Sequence, residues 1–174
     1  MRDRIQILGV TIDPLTMNET IDIVEQNVLE KRPLHLMGVN ADKINQCHTD
    51  EKIKKIVNES GIINADGASV VLASKFLGTP VPERVAGIDL MQSLLELSNN
   101  KGYSVYFFGA KEEVLQDMLK AFKNDYPNLI VVGYRNGYFS ADDEQDIQED
   151  IREKNPDFVF VGITSPKKEY IIQK

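Results

Sequence analysis

A single cysteine, Cys47, stands in this sequence of 174 residues. With no partner in the chain it cannot form an internal disulfide, which fits a reducing compartment, and in a helical stretch with no obvious partner it reads as a packed or surface cysteine in preference to a nucleophile. Long hydrophobic runs are also missing. The longest, such as Phe158–Ile163, are strand-sized and fall far short of the ~20 apolar residues that span a bilayer. The first residues, Met1-Arg-Asp-Arg-Ile-Gln, carry no charged-then-apolar leader, so residence in the cytosol is the expectation. Positive charge is in deficit: 20 Lys and Arg against 27 Asp and Glu give a formal net charge of −7. That balance argues against nucleic acid as a partner, and it sets a problem for any role at an anionic lipid surface.

Metal-ligand spacing is lacking as well. His35 and His48 have no suitable spacing to each other or to Cys47, and His35 is expected to pack in or beside a strand. Asp142-Asp143 opens a helix with seven acids against two bases, which reads as a solvated face favoured by the helix dipole. No metal site is expected. Neither the dinucleotide G-x-G-x-x-G nor the phosphate-loop G-x-x-x-x-G-K-[ST] occurs.

What remains is an ordinary globular composition, 42% hydrophobic and 27% charged, in a length suited to one domain. The pattern alternates strand and helix. Ile5–Ile12 reads as a strand, followed by a helix capped by Asn18. Leu34–Val39 is a second strand. Ala41–Ser60 is helical with a break near Thr49-Asp50. Ile62–Ala65 is a short buried strand, and a helix through Val70 and Leu77 closes at Gly78. Pro80 and Pro82 make Thr79–Gly87 a loop before the helix Ile88–Asn100. Then come strand Tyr103–Phe108, helix Lys111–Asp125, strand Leu129–Val132, helix Ala141–Lys154, strand Phe158–Ile163 and a helix opening at Lys167 after Ser165-Pro166. This order predicts a single Rossmann-like α/β/α domain with a mostly parallel sheet.

In such folds ligands bind beyond the carboxyl ends of the strands. Asn40, Asp66, Gly109, Ala110, Asn136, Gly137 and Ser165 fall at or just beyond such ends. Asp66 follows a buried run and precedes a glycine, so its carboxylate emerges partly desolvated, a setting that suits a general base. A helix cap for the segment starting at Ala68 is an equal reading. Gly109-Ala110 leads from a strand into a helix N-terminus, where N–H groups and the dipole favour phosphate; the same turn also serves topology alone. Arg84 in the proline-restrained loop suits a diphosphate, or it is a solvated loop arginine. Asn136-Gly137-Tyr138 is a turn with an aromatic able to stack on a base, or simply a turn.

Taken in order, Asn64-Ala-Asp-Gly67, Glu83-Arg-Val-Ala-Gly-Ile-Asp-Leu-Met91, Tyr106-Phe-Phe-Gly-Ala110, Tyr126-Pro-Asn-Leu129, Gly137-Tyr-Phe139 and Val161-Gly-Ile-Thr-Ser-Pro-Lys-Lys-Glu-Tyr170 resemble the WecG/TagA/CpsF glycosyltransferase family. The likeness covers nearly the whole chain, and its last motif is most similar to the TagA branch. The resemblance implies an inverting, metal-independent transferase without a cofactor. It would move N-acetylmannosamine from UDP-ManNAc to the 4-hydroxyl of GlcNAc on undecaprenyl diphosphate, in wall teichoic acid linkage-unit synthesis. It also implies Asp66 as the base, Arg84 on the donor diphosphate and Asn40 at the end of the second strand. Further candidate substrate contacts are Gly109, Ala110, Asn136, Gly137, Tyr138, Ser165, Lys167 and Glu169.

Two departures stand out. Gly38 occupies a position that is threonine in many family members. The family also continues well past Lys174, whereas this sequence ends inside the expected last helix. The expectation is therefore a catalytic domain over 1–174 without a basic, amphipathic C-terminal appendage. That appendage would dock the acidic body peripherally on the cytoplasmic face of the bacterial membrane. Ile171 and Ile172, left uncovered, would favour a homo-oligomer. Rival readings are a relative using another donor such as UDP-ManNAcA, and a non-catalytic receiver-like module.

Overall fold

The computed structural model describes residues 3–173. It is a mixed α/β structure whose larger ladders are parallel, as the alternating pattern predicts. The chain divides into two compact units, one drawn from residues up to Leu90 and one running from Met91 to Ile172.

The first unit opens with a hairpin. β1 (Ile5–Ile7) pairs antiparallel with β2 (Val10–Ile12). The single strand expected over Ile5–Ile12 is thus two strands around a turn in which Leu8 and Gly9 both adopt positive φ, 51° and 80°. Helix α1 (Met17–Leu29) starts two residues earlier than the Asn18 cap implied. Thr16 is the N-cap and forms a capping box with Glu19, satisfying two N–H groups reciprocally. β3 (Leu36–Val39) lies parallel to β4 (Ile62–Ala65), with Gly38 opposite Asn64. Between them α2 (Ala41–Thr49) and α3 (Glu51–Asn58) meet at Asp50, whose carboxylate accepts the N–H groups of Lys52 and Ile53. β4 is buried along its whole length, and Val10, Ile12, Val39, Ile53 and Val57 complete the core around it. Cys47 is buried, and His35 stands beside β3 with its Nδ1 3.2 Å from the Ser60 hydroxyl. α4 (Ala68–Phe76) follows, and α5 (Gly87–Lys101) carries the chain from one unit into the other.

In the second unit β5 (Ser104–Gly109) is the central strand of the order β6-β5-β7, parallel to β6 (Ile130–Arg135) and β7 (Phe158–Gly162). Its alternating faces are both buried. Phe107 packs on Phe122 and Phe160, while Tyr106 and Phe108 join Ile147 and Ile171 on the other side. α6 (Glu112–Asp125), α7 (Glu144–Lys154) and α8 (Lys167–Ile172) complete the unit. β6 continues three residues beyond the expected Val132 because Gly133 acts here as a strand residue. A Cβ on it would come within 2.5 Å of the Tyr106 ring. Ile171 is not left uncovered: it is 9% exposed and belongs to that core cluster, while Ile172 keeps partial exposure.

Candidate active site

Three of the residues singled out in the sequence gather at the carboxyl end of the β3–β4 ladder. Asp66 follows β4 directly, and its N–H donates to the carbonyl of Val39 at 2.9 Å. Its side chain does not cap the next helix. Gly67 is the N-cap of α4, and no side chain bonds to that helix end. The helix-cap reading of Asp66 is therefore removed. The half-buried carboxylate receives one hydrogen bond among the described residues, from the N–H of Gly87 at 3.3 Å. A carboxylate has about four acceptor sites, so most of its capacity stays available.

Glycine gives this placement room. A Cβ on Gly38 would lie 3.1 Å from Asp66 Oδ2, and one on Gly67 would lie 3.1 Å from the Asn40 Cβ. The carboxylate thus rests against bare backbone of β3, and a threonine at position 38 would have to share that space. Asn40 is exposed at the end of β3 and caps α2, accepting the Lys43 N–H at 2.9 Å. Its amide nitrogen is not used in that bond.

The loop carrying Arg84 is tied down at several points. Val85 N–H donates to the Ala65 carbonyl at 2.9 Å, Val81 N–H donates to the Ser74 hydroxyl at 3.0 Å, and Glu83 accepts the Met17 N–H. Val81, Val85 and Ala86 are buried while Arg84 is exposed. Its guanidinium sits 3.8 Å from Asp89, a loose, solvated pair that an incoming diphosphate could exchange at little cost.

A second group gathers at the carboxyl ends of β5, β6 and β7. Gly109, opposite Gly162, has φ 146°, and Ala110 has φ 58°, a left-handed conformation unusual for a residue with a side chain. Ala110 is held there from both sides. Its N–H donates to the Gly162 carbonyl at 3.1 Å and its carbonyl accepts the Gly137 N–H at 2.9 Å. The N–H of Ala110 is therefore committed within the protein, and any phosphate would meet the later N–H groups of the α6 N-terminus. That end carries Glu112 and Glu113 in its first turn. Hydrogen bonds from Asn136 and Gln116 hold the Glu112 carboxyl below the usual range. Asn136 also accepts the Tyr138 N–H at 3.0 Å, and the Tyr138 ring is largely exposed.

Among the candidates from the last motif, Lys167 donates to the Phe139 carbonyl at 3.0 Å, with its Nζ 3.4 Å from the ring centroid. Ser165 precedes α8 through a cis bond to Pro166. Glu169 is fully buried beside Lys168, with 3.8 Å between charged atoms, so it faces packed protein and not solvent. Among the described residues, no group of three or more potential metal ligands is found.

A cavity of about 340 Å³ opens elsewhere on the first unit, between Asp13, Leu15, Ile23, Asn27 and Ile62, toward the opposite end of β4 from Asp66. Asp13 there is occupied by Arg4 and by the Ile63 N–H.

Similarity to known proteins agrees with the motif order. Curated relatives in Bacillus spizizenii and Staphylococcus aureus are both named N-acetylglucosaminyldiphosphoundecaprenol N-acetyl-beta-D-mannosaminyltransferase. The Bacillus protein is 33% identical over 123 residues, 71% of this chain and 47% of its own length. The Staphylococcus protein is 30% identical over 168 residues, 95% of this chain and 65% of its own. The chain thus spans about half to two thirds of the length of these relatives. The family model for glycosyl transferases of the WecG/TagA/CpsF type matches residues 5–174, and the chain belongs to that family.

Proposed function

We propose that this chain is the catalytic portion of an inverting glycosyltransferase that moves N-acetylmannosamine from UDP-ManNAc to GlcNAc-diphospho-undecaprenol. The observation that carries this reading is the Asp66 carboxylate. It is half-buried at a strand end beside the backbone of Gly38, does not cap α4, and accepts one hydrogen bond, from the N–H of Gly87 at the start of α5.

In the proposed reaction Asp66 takes the proton from the 4-hydroxyl of the acceptor GlcNAc as its oxygen attacks the anomeric carbon of the donor. The bond from that carbon to the UDP oxygen breaks on the opposite face, and UDP leaves with the bonding electrons. One displacement inverts the anomeric centre, so a single carboxylate suffices. Arg84 offsets charge on the departing diphosphate, assisted by backbone N–H groups. The proposal includes independence from metal ions and attachment to the cytoplasmic face of the membrane that holds the acceptor.

The test is transfer to a short-chain lipid diphosphate acceptor, with UDP-ManNAc, UDP-GlcNAc and UDP-ManNAcA as competing donors. Asp66→Ala is expected to lower kcat by roughly 10²–10⁴-fold while UDP still raises the melting temperature, and EDTA is expected to leave the rate unchanged. Full activity in Asp66→Ala would remove the mechanism. Loss of activity in EDTA would remove metal independence alone.

A further inference from the structure

Helix α4 has apolar residues on two faces. Val70 and Ser74 point inward and are buried. Leu72 and Phe76, one helical turn apart, point outward at 58% and 86% exposure, and Leu77 at the helix end is 58% exposed. A helix that is apolar all round is normally covered. Charge distribution sets this segment further apart: from Gly67 to Pro82 there is no acidic residue, in a chain with 27 of them, and Lys75 is its one basic residue. Lys75 is exposed and makes no ion pair among the described residues. The helix also starts directly after Asp66-Gly67.

We infer that the outer face of α4, Leu72, Phe76 and Leu77 with Lys75, is a docking surface for an anionic lipid bilayer. The apolar side chains insert at the headgroup–acyl boundary and Lys75 meets lipid phosphate. Local charge decides such contacts, because fields from more distant acids are screened within ~8 Å at physiological salt. An apolar face whose own segment carries no acid is therefore compatible with anionic lipid although the whole molecule is not. The inference gains from the proposed reaction. α4 is ~13 Å long at 1.5 Å per residue, the same order as a sugar plus a diphosphate. A lipid-borne acceptor with its sugar at Asp66 and its diphosphate running along α4 would have its hydrocarbon start near Phe76.

The test is co-sedimentation of the chain with sucrose-loaded vesicles of phosphatidylglycerol and phosphatidylcholine. The comparison is with a Leu72→Ser/Phe76→Ser double variant, whose substitutions are on exposed positions and should leave the melting temperature unchanged. Binding by the wild type and a roughly tenfold loss in the double variant are expected, with a smaller loss for Lys75→Gln. Equal binding by the double variant would overturn the inference. So would a wild type that ignores vesicles but forms dimers that the double variant breaks, since the occupant would then be a second copy. Vesicle binding is read without substrate. If it behaves as expected while UDP fails to stabilise the protein, the transferase reading fails and the docking surface stands.

Discussion

At the scale of single residues, the candidate site is set by where side chains are missing or strained. Asp66 lies close against β3 where Gly38 has no Cβ, and a side chain there would need the carboxylate to shift by a few tenths of an ångström. Ala110 is the converse case, a residue with a Cβ held at φ 58° by hydrogen bonds on both sides. A left-handed conformation costs an ordinary residue roughly 1–2 kcal/mol, and strain of this kind collects where surrounding structure over-determines it. Glycine would remove that cost but adds back some of it as freedom of the unfolded chain, roughly 0.5–1 kcal/mol. Ala110→Gly is therefore expected to stabilise the protein by up to about 1 kcal/mol, seen as a higher midpoint in urea. A lower midpoint would mean that the methyl group makes contacts worth more than the strain.

At the scale of elements, Tyr106 joins β5 to α7. Its ring is fully buried, and its hydroxyl donates to Asp150 at 2.6 Å. Burial, and then that bond to a carboxylate, push the phenol far above its usual range. A group whose value is raised on folding contributes stability that is complete below its unfolded value, about 10, and that is lost as pH rises beyond it. Asp150 has the opposite sign. Lys154 first, and Tyr106 second, hold it below the usual carboxylate range, so its contribution is present above about pH 4 and lost as pH falls. Tyr106→Phe is expected to flatten the decline of urea stability above about pH 10 and to raise the Asp150 value. A decline as steep as in the wild type would place its origin in other groups.

The elements themselves were largely legible from local pattern. The helix break at Asp50 was visible because aspartate ends one helix and caps the next, and it serves both roles here. The hairpin at Leu8-Gly9 was not visible, since leucine at positive φ contradicts its own preference and is imposed by pairing of β1 with β2. Gly133 falls just past the expected strand Leu129–Val132, yet it continues β6 because the Tyr106 ring needs the room. The burial of Ile171 depends on Tyr106, Phe108 and Ile147, contacts distant in sequence that no local window contains. For the site, strand-end residues were recognisable by position. Which of them remained open to a ligand depended on hydrogen bonds, as the commitment of the Ala110 N–H and the burial of Glu169 illustrate.

At the scale of the whole molecule, a net charge of −7 and an isoelectric point near 4.9 oppose approach to an anionic surface at neutral pH. No described helix is long and apolar enough to cross a membrane. Salt distinguishes two ways of attaching to such a surface. Docking by basic residues weakens as salt rises, because each contributes about 1 kcal/mol of screened attraction. Docking by Leu72, Phe76 and Leu77 is apolar and unscreened, with one lysine beside it. The dominant electrostatic term is then repulsion between the acidic body and the lipid, which reaches over ~30 Å at 0.01 M salt but only ~8 Å at 0.15 M. Partitioning of this chain onto phosphatidylglycerol vesicles is therefore expected to increase several-fold between those concentrations. Measuring bound fraction across that range decides the matter: a decrease would assign the attachment to basic side chains and leave the α4 face without a part in it.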